Sequence, residues 1–372
     1  MMEMGVVIFW TLYVMAVIAM LAMGVFMLIA VCGKRKSSVK DNTAEGVSVI
    51  VVARNDIENL CNVIPALIAQ DYPRYEVIVV DDRSSDGTAH FLSTVQKNYS
   101  SLIKTVYVRE DTPYPWPGKK FSISMGVKAA SYERIVILDV ADRPCSNSYL
   151  TSFMREVGDK RYVIGQCKTR MIKGLGAWWD MLVGYSGRVW AISCAVIGRP
   201  FAAQSSNFSF LKSDFLSGGA YMNNMRVPSG EASFLLQGKT RDSVRVMCGA
   251  ETMVERANVA GFKTLWEKSV RRVAMWRIMS NWYRVAVVVN PVIRLFFLCV
   301  VIWGAVVMYD NWLYWAMMAF TVIFISGVYY LTAGVIKVNK MVALSPLTDV
   351  FLLPMNIIMR AIAYIRIPAR WK

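Results

Sequence analysis

Residues 47–56 read V-S-V-I-V-V-A-R-N-D, and residues 76–88 read E-V-I-V-V-D-D-R-S-S-D-G-T. Each begins as a run of β-branched apolar residues and stops abruptly at short polar side chains. Strands of a parallel sheet are covered on both faces, so they read as unbroken apolar runs. Residues 57–69, between the two runs, carry apolar side chains at helical spacing. The unit is therefore strand, helix, strand. In open α/β sheets, ligands bind outside the carboxyl ends of the strands. Asp81, Asp82 and Asp86 stand at that place, and a buried acid needs a partner or a task.

The α/β pattern continues. A polar linker (34–46) precedes strand one at 47–53, and strand two covers 76–80. Ser85 or Asp86 is placed to cap a helix starting near Thr88. A third strand is expected at 103–108, then a loop rich in Pro and aromatics at 112–117 and a helix at 118–130. A fourth buried strand at 135–138 ends in Asp139-Val-Ala-Asp142. Residues 174–197 hold Trp178, Trp179 and Trp190, which fit either core packing or a helix pair lying on a membrane face.

Hydrophobic residues make up 55% of the chain, and they are unevenly spread. No charged residue occurs from Met4 to Gly33, a stretch long enough to cross a bilayer with some tilt. A cleaved signal peptide fits less well, because a basic n-region is missing and the apolar run is too long. Two more apolar spans are expected at 285–308 and 313–336. Residues 341–365 contain Pro346, Pro354, Asp349 and Arg360, so an interfacial or re-entrant helix pair is expected there.

Basic residues in short flanks set the orientation. Lys34, Arg35 and Lys36 follow the first span. Arg271, Arg272, Arg277 and Arg284 precede the second, and Lys337 and Lys340 follow the third. The expected protein is multi-pass in the cell (inner or plasma) membrane, with its N-terminus outside. The middle domain and the tail at 370–372 face the cytoplasm. The boundaries expected are a transmembrane helix at 1–33, the linker, an α/β domain at 47–283, two transmembrane helices at 284–340, and interfacial helices with a basic tail at 341–372.

The formal net charge of +16 gathers in part beside the spans, where the positive-inside rule and anionic lipid account for it. No interleaved aromatic and basic motif marks a nucleic-acid surface, so no nucleic-acid partner is expected. The seven Cys are scattered without a C-x-x-C pair, and the single His90 follows the second strand. Reduced, packed thiols and no zinc site are the expectation.

The runs at 47–56 and 76–88, together with P-G-K-K-F-S-I-S-M-G-V-K-A-A at 117–130, resemble the opening of family 2 glycosyltransferases of the GT-A type. The resemblance is close over 47–145 and looser over 200–275. It implies a Rossmann-like, mostly parallel sheet flanked here by N- and C-terminal transmembrane helices, a nucleotide-sugar donor, and a lipid-linked or membrane-proximal acceptor. It also implies donor contacts from Ala53 and Asn55, a nucleoside contact from Asp82, and a phosphate contact from Lys119 or Lys120 at a helix start.

Three motifs depart from the family pattern. D-A-D-C-x-P, which holds Mg or Mn in the family, here reads Asp139-Val-Ala-Asp-Arg-Pro144. The second acid is replaced by Ala141, so Asp139 and the shifted Asp142 are the expected metal ligands, with Arg143 able to offset phosphate charge instead. The acceptor-base cluster keeps one acid, Glu231, followed by Ala232 and Ser233. Glu231 and Asp142 are thus the expected catalytic acids. The third motif, near the membrane, keeps Trp266 and Arg272 but loses its Gln and final aromatic at Ser269 and Val273. Arg272 is the residue expected on the donor diphosphate. Asn207 matches a family Asn in S-S-N-F-S-F at 205–210. Two readings follow: an active glycosyltransferase, or a catalytically impaired one that serves a protein partner as a membrane scaffold.

Overall fold

The structure is a computed structural model that describes residues 2–32, 44–109, 118–169, 174–225, 227–256 and 262–365. In chain order the elements begin α1 (Met2–Cys32), β1 (Val47–Ala53), α2 (Ile57–Ile68), β2 (Tyr75–Asp82), α3 (Thr88–Asn98) and β3 (Ile103–Val108). There follow α4 (Lys120–Ala129), β4 (Arg134–Asp139), β5 (Asp142–Pro144), α5 (Tyr149–Val157), β6 (Tyr162–Ile164) and β7 (Cys167–Thr169). Next come α6 (Leu175–Ile197), β8 (Phe208–Leu211), α7 (Lys212–Gly218), α8 (Glu231–Leu235), β9 (Val244–Val246) and β10 (Val254–Arg256). The last helices are α9 (Phe262–Ile278), α10 (Asn281–Val307), α11 (Trp312–Val335) and α12 (Ser345–Ile365). Helices α1, α6 and α9–α12 form one compact unit, and the strands with the remaining helices form another.

In the sheet unit, seven strands are ordered β3-β2-β1-β4-β8-β6-β9. The four strands β3, β2, β1 and β4 run parallel, whereas β8 is antiparallel to β4 and β6. The apolar run of β1 is buried at every position, as a central strand covered on both faces requires. Register brings the strand exits level, with Ala53 opposite Asp81 and Val52 opposite Asp139. Helix α2 buries Leu60, Val63, Ile64 and Leu67 on the core. The glycine of the K-K-F-S-I-S-M-G motif lets α4 approach closely: a Cβ on Gly126 would lie 2.8 Å from Ile50 Cγ2. Strands β5, β10 and β7 make a second, three-stranded sheet.

In the helical unit, α1 packs against α6, α10 and α11. Polar groups join the helices: Tyr13 donates to the Tyr314 carbonyl at 3.0 Å, and Ser186 donates to Asn290 Oδ1 at 2.9 Å. Among the described residues, four helical stretches are long and apolar enough to cross a membrane: Met4–Cys32, Asn281–Val307, Trp312–Val335 and Lys340–Ile365. Large apolar side chains such as Val292, Ile323, Phe351 and Ile365 are exposed on them, as lipid-facing positions are.

Two regions differ from expectation. The segment after α11 is not a helix pair but a short 3₁₀ turn (Lys340–Leu344) leading into the single helix α12. Pro346 sits in the first turn, where its missing donor has no partner to lose. Asp349 is neutralised by Arg294 of α10 in a two-pronged ion pair, so its charge does not interrupt the helix. Residues 175–197 likewise form one helix, α6, with Trp190 Nε1 donating to the Ala286 carbonyl at 2.8 Å. The expected loop at 112–117, the linker at 34–43 and the tail at 370–372 lie outside the described residues.

Candidate active site

The exits of β1 and β2 are laced together by side chains. Asn55, in the left-handed region at φ 49°, donates its N–H to Ser84 Oγ at 2.9 Å. Its own Oδ1 accepts from the Ser85 N–H at 2.7 Å, and Asp81 accepts from the Ser84 N–H at 3.1 Å. Asp86 accepts from the Ile57 N–H and from the N–H and hydroxyl of Thr88, so one carboxylate serves the starts of α2 and α3. The Thr88 hydroxyl above all holds the Asp86 carboxyl below its usual range. Asp82 ends β2, buried, with Arg83 Nε donating to it at 2.9 Å. Ala53 is fully buried at the end of β1. Ala53, Asn55 and Asp82 therefore share one edge of the sheet.

Asp139, at the end of β4, joins them. Its Oδ2 accepts from Lys119 Nζ at 3.2 Å and its Oδ1 from the Ala141 N–H at 3.3 Å, while its own N–H donates to Ser206 Oγ at 2.9 Å. Burial alone would raise this carboxyl. Lys119 and then Arg256 outweigh burial and hold it well below the usual carboxylate range. Asp56 stands nearby. Burial pushes its carboxyl up and the Asn59 amide holds it down, and the negative charge of Asp139 adds to the rise.

Asp142 is drawn away from this group. It is fully buried, and its two oxygens accept from Arg256 Nε and Nη2 at 2.6 and 2.7 Å. Burial would lower the Arg256 guanidinium, but Asp142 more than reverses this and raises it. Arg143 is held by Glu255, at 3.1 Å. A divalent cation bound by Asp139 and Asp142 does not fit these side chains. Asp142 has both oxygens in a bidentate ion pair, and Asp139 faces an ammonium. Among the described residues no group of three His, Cys, Asp or Glu gathers that would hold a metal ion.

The neighbouring lysines point to different places. Lys120 is fully buried and donates to the carbonyls of Val227 and Ser229, both at 2.6 Å, with its ammonium 5.0 Å from the Phe234 ring centre. Burial pushes it down to about 8, partly opposed by Glu231. Glu231 opens the short helix α8 after Gly230, whose φ of 88° suits a residue without Cβ. Its carboxylate is buried and accepts from Ser205 Oγ at 2.6 Å. Ala232 and Ser233 beside it are also buried. Asn207 is fully engaged, accepting from Tyr149 and donating to the carbonyls of Gln166 and Thr252. Arg272 belongs to the helical unit, on α9.

Sequence reasoning did not single out Asp56, Ser206 or Arg256 as site residues. Asp56 was legible as the last residue of the first motif. Ser206 lies inside the S-S-N-F-S-F segment and Arg256 carries no local signal; what each binds was hidden because their partners lie 67 and 114 residues away.

The profile of the family described as Glycosyl transferase family 2 matches residues 48–223. Poly-beta-1,6-N-acetyl-D-glucosamine synthase of Staphylococcus epidermidis is 30% identical over 95 residues, 26% of this chain and 21% of that protein. The synthase of the same name from Staphylococcus aureus strain COL is 26% identical over 105 residues, 28% of this chain and 24% of that protein. The chain thus spans about a fifth to a quarter of the length of these curated relatives. Mannosyltransferase PcManGT from Pyrobaculum calidifontis, solved with GDP-Man and Mn2+, aligns with a TM-score of 0.55 at 14% identity, covering 91% of this chain and 98% of that one. That last likeness is one of fold. With the strand exits, the order of their motifs and the profile in agreement, the chain carries a family 2 glycosyltransferase domain of the GT-A type over residues 48–223, alongside helices apolar enough to span a membrane.

Proposed function

We propose that the protein is a membrane-integral glycosyltransferase that moves a sugar from a cytoplasmic nucleotide-sugar donor to a lipid-linked or membrane-proximal acceptor. The observation that carries this reading is the laced edge formed by Asn55, Ser84, Ser85 and Asp81, which pre-orders the turn bearing Asp82. Asp82 would hold the nucleoside. Lys119, already at the β4 exit opposite Asp139, would meet the donor phosphates in place of a divalent cation. In the transfer, the acceptor oxygen forms a bond to the anomeric carbon while the bond from that carbon to the phosphate oxygen breaks. The nucleoside diphosphate leaves with the electron pair, and the acceptor proton passes to Glu231. The named relatives favour an N-acetylglucosamine donor in the first screen.

Purified full-length protein in mild detergent should gain thermal stability from UDP-N-acetylglucosamine or another nucleotide-sugar, with EDTA present as well as with Mn2+ added. Stabilisation with Mn2+ alone would return the cation to the site. No stabilisation by any donor would remove the reading.

A second reading has its own observation. Asp142 is closed in an ion pair, and Ala232 and Ser233 occupy buried positions where the family carries acids. A scaffold that has lost turnover would keep donor binding, and a protein partner would depend on it. Equal release of nucleoside diphosphate by the wild type and by Glu231→Gln favours this scaffold.

Orientation follows the basic flanks, with the sheet unit in the cytoplasm. A full crossing by α12 would carry the basic tail at 370–372 to the other side. Cysteine labelling at position 372 against position 85 distinguishes a crossing from an interfacial α12.

A further inference from the structure

Two pairs of adjacent residues join the β4 exit to the loop that carries Glu231. In the first pair, Lys119 faces Asp139 at 3.2 Å, while Lys120 donates to the carbonyls of Val227 and Ser229. In the second pair, Ser206 accepts from the Asp139 N–H at 2.9 Å, while Ser205 donates to Glu231 at 2.6 Å. The contacts close a circuit. It runs from Asp139 through Lys119, Lys120 and the loop at 227–230 to Glu231, then back through Ser205 and Ser206.

Both arms of this circuit are stiff. Lys120 is fully buried, and its ammonium would be stranded if the two carbonyls moved away. It grips the chain on both sides of Glu231, at the carbonyls before it and at Phe234 after it, whose ring centre is 5.0 Å from the ammonium. The backbones touch on the same arm, since a Cβ on Gly118 would lie 2.8 Å from the Pro228 carbonyl oxygen. The loop at 227–230 and the start of α4 therefore move together. On the other arm, Ser205 and Ser206 lead into Asn207, whose amide is held by Tyr149 and by the carbonyls of Gln166 and Thr252. Lys120, Ser206 and Glu231 are buried, whereas the side chains of Lys119 and Asp139 are 33% and 31% exposed. An ion pair that water reaches is weak, so the circuit is loosest where a ligand can enter it.

We propose that Lys120 and Ser206 are positioning residues for Glu231, through which the state of the Lys119–Asp139 pair sets the place of the proton acceptor. Donor phosphates bound at Lys119 fix that side chain, close the loosest contact of the circuit and hold Glu231 in position. Coupling of this kind needs contiguous contacts and an element with two arrangements, here Lys119 on Asp139 alone or on phosphate as well. The proposal rests on the donor reading and on Glu231 as the proton acceptor.

Hydrogen–deuterium exchange of the full-length protein in detergent, with and without UDP-N-acetylglucosamine, tests it, because two segments report separately. Slower exchange at 81–88 marks the donor at the Asp82 turn, and slower exchange at 227–236 marks its transmission to Glu231. In the wild type both should slow, the second about tenfold. Lys120→Met and Ser206→Ala should each keep the effect at 81–88 and lose the effect at 227–236. Ser206→Ala removes a single hydroxyl and carries the test if Lys120→Met does not fold. In turnover, both variants should lower kcat about tenfold with donor KM within about twofold. A raised donor KM at unchanged kcat would instead make them donor ligands and overturn the proposal. So would slowing at 227–236 that survives in both variants, which would mean that the donor touches this loop directly. Slowing at 81–88 alone in the wild type would overturn the proposal and leave the donor reading standing, whereas no change at either segment would remove both.

Discussion

The two halves of the sheet edge handle negative charge in different ways. At the β1 and β2 exits, Asn55, Asp81, Ser84 and Ser85 spend their hydrogen bonds on one another's backbone and side chains. At the β4 exit and α8, the acids face cations supplied by the chain: Asp139 meets Lys119, Asp142 meets Arg256, and Glu231 lies in the field of Lys120. The first half is a shaped turn, and the second is a set of ion pairs. Carboxylates that would share a metal from solution are here matched by fixed side chains, and each match depends on geometry set far away in sequence.

The largest way to break this contrast is Arg256→Ala. It strands the fully buried Asp142 and should cost about 3–5 kcal/mol in chemical unfolding, with much of the loss recovered when Asp142→Leu and Arg256→Met are combined. Asn55→Ala, in the neutral half, should cost only about 1 kcal/mol. Equal losses at the two sites would erase the distinction.

Next in size is chemistry. Glu231→Gln should lower kcat about 10²-fold or more with little change in donor affinity, the signature of a lost proton acceptor. A rate unaffected by the change would leave the ion-paired half without a catalytic acid.

Asp82→Ala probes the shaped half, and calorimetry with the nucleoside diphosphate should read about a tenfold weakening at unchanged thermal stability. An unchanged affinity there would shift donor binding wholly to the ion-paired half.

The smallest effect concerns Lys120. Its folded value of about 8 lies below the ordinary lysine range near 10.4. Between these values the unfolded chain binds more protons than the folded one, so stability should rise as pH increases from about 8 toward 10. The two carbonyl bonds favour the ammonium and reduce the rise to on the order of 1 kcal/mol. Lys120→Met should flatten it in thermal scans across that range, and a slope shared by the variant would assign the rise to other groups.

Much of the sheet was legible because the signal for a buried parallel strand is local. The runs at 47–53 and 103–108 match β1 and β3 to the residue, and strongly apolar stretches of bilayer length mark α1, α10 and α11. The site was legible in its positions rather than its pairings. Asp139 and Lys119 were both in view, but the Asp142 partner lies 114 residues away and was not. The helix pair expected at 341–365 failed for the same reason, since Asp349 reads as an unpaired charge until Arg294 is placed against it.

The α/β class, the succession of strands along the chain and the apolar helices that flank the domain are all written locally. Each follows from periodicity and β-branched content within about a dozen neighbouring residues. The state of each charge is instead set by the folded arrangement. Lys119 and Lys120 are adjacent in sequence, yet one faces Asp139 at the sheet edge and the other is sealed under Val227 and Ser229. Successive side chains on a helix point about 100° apart, so the surroundings of a charge depend on which distant elements close over that direction.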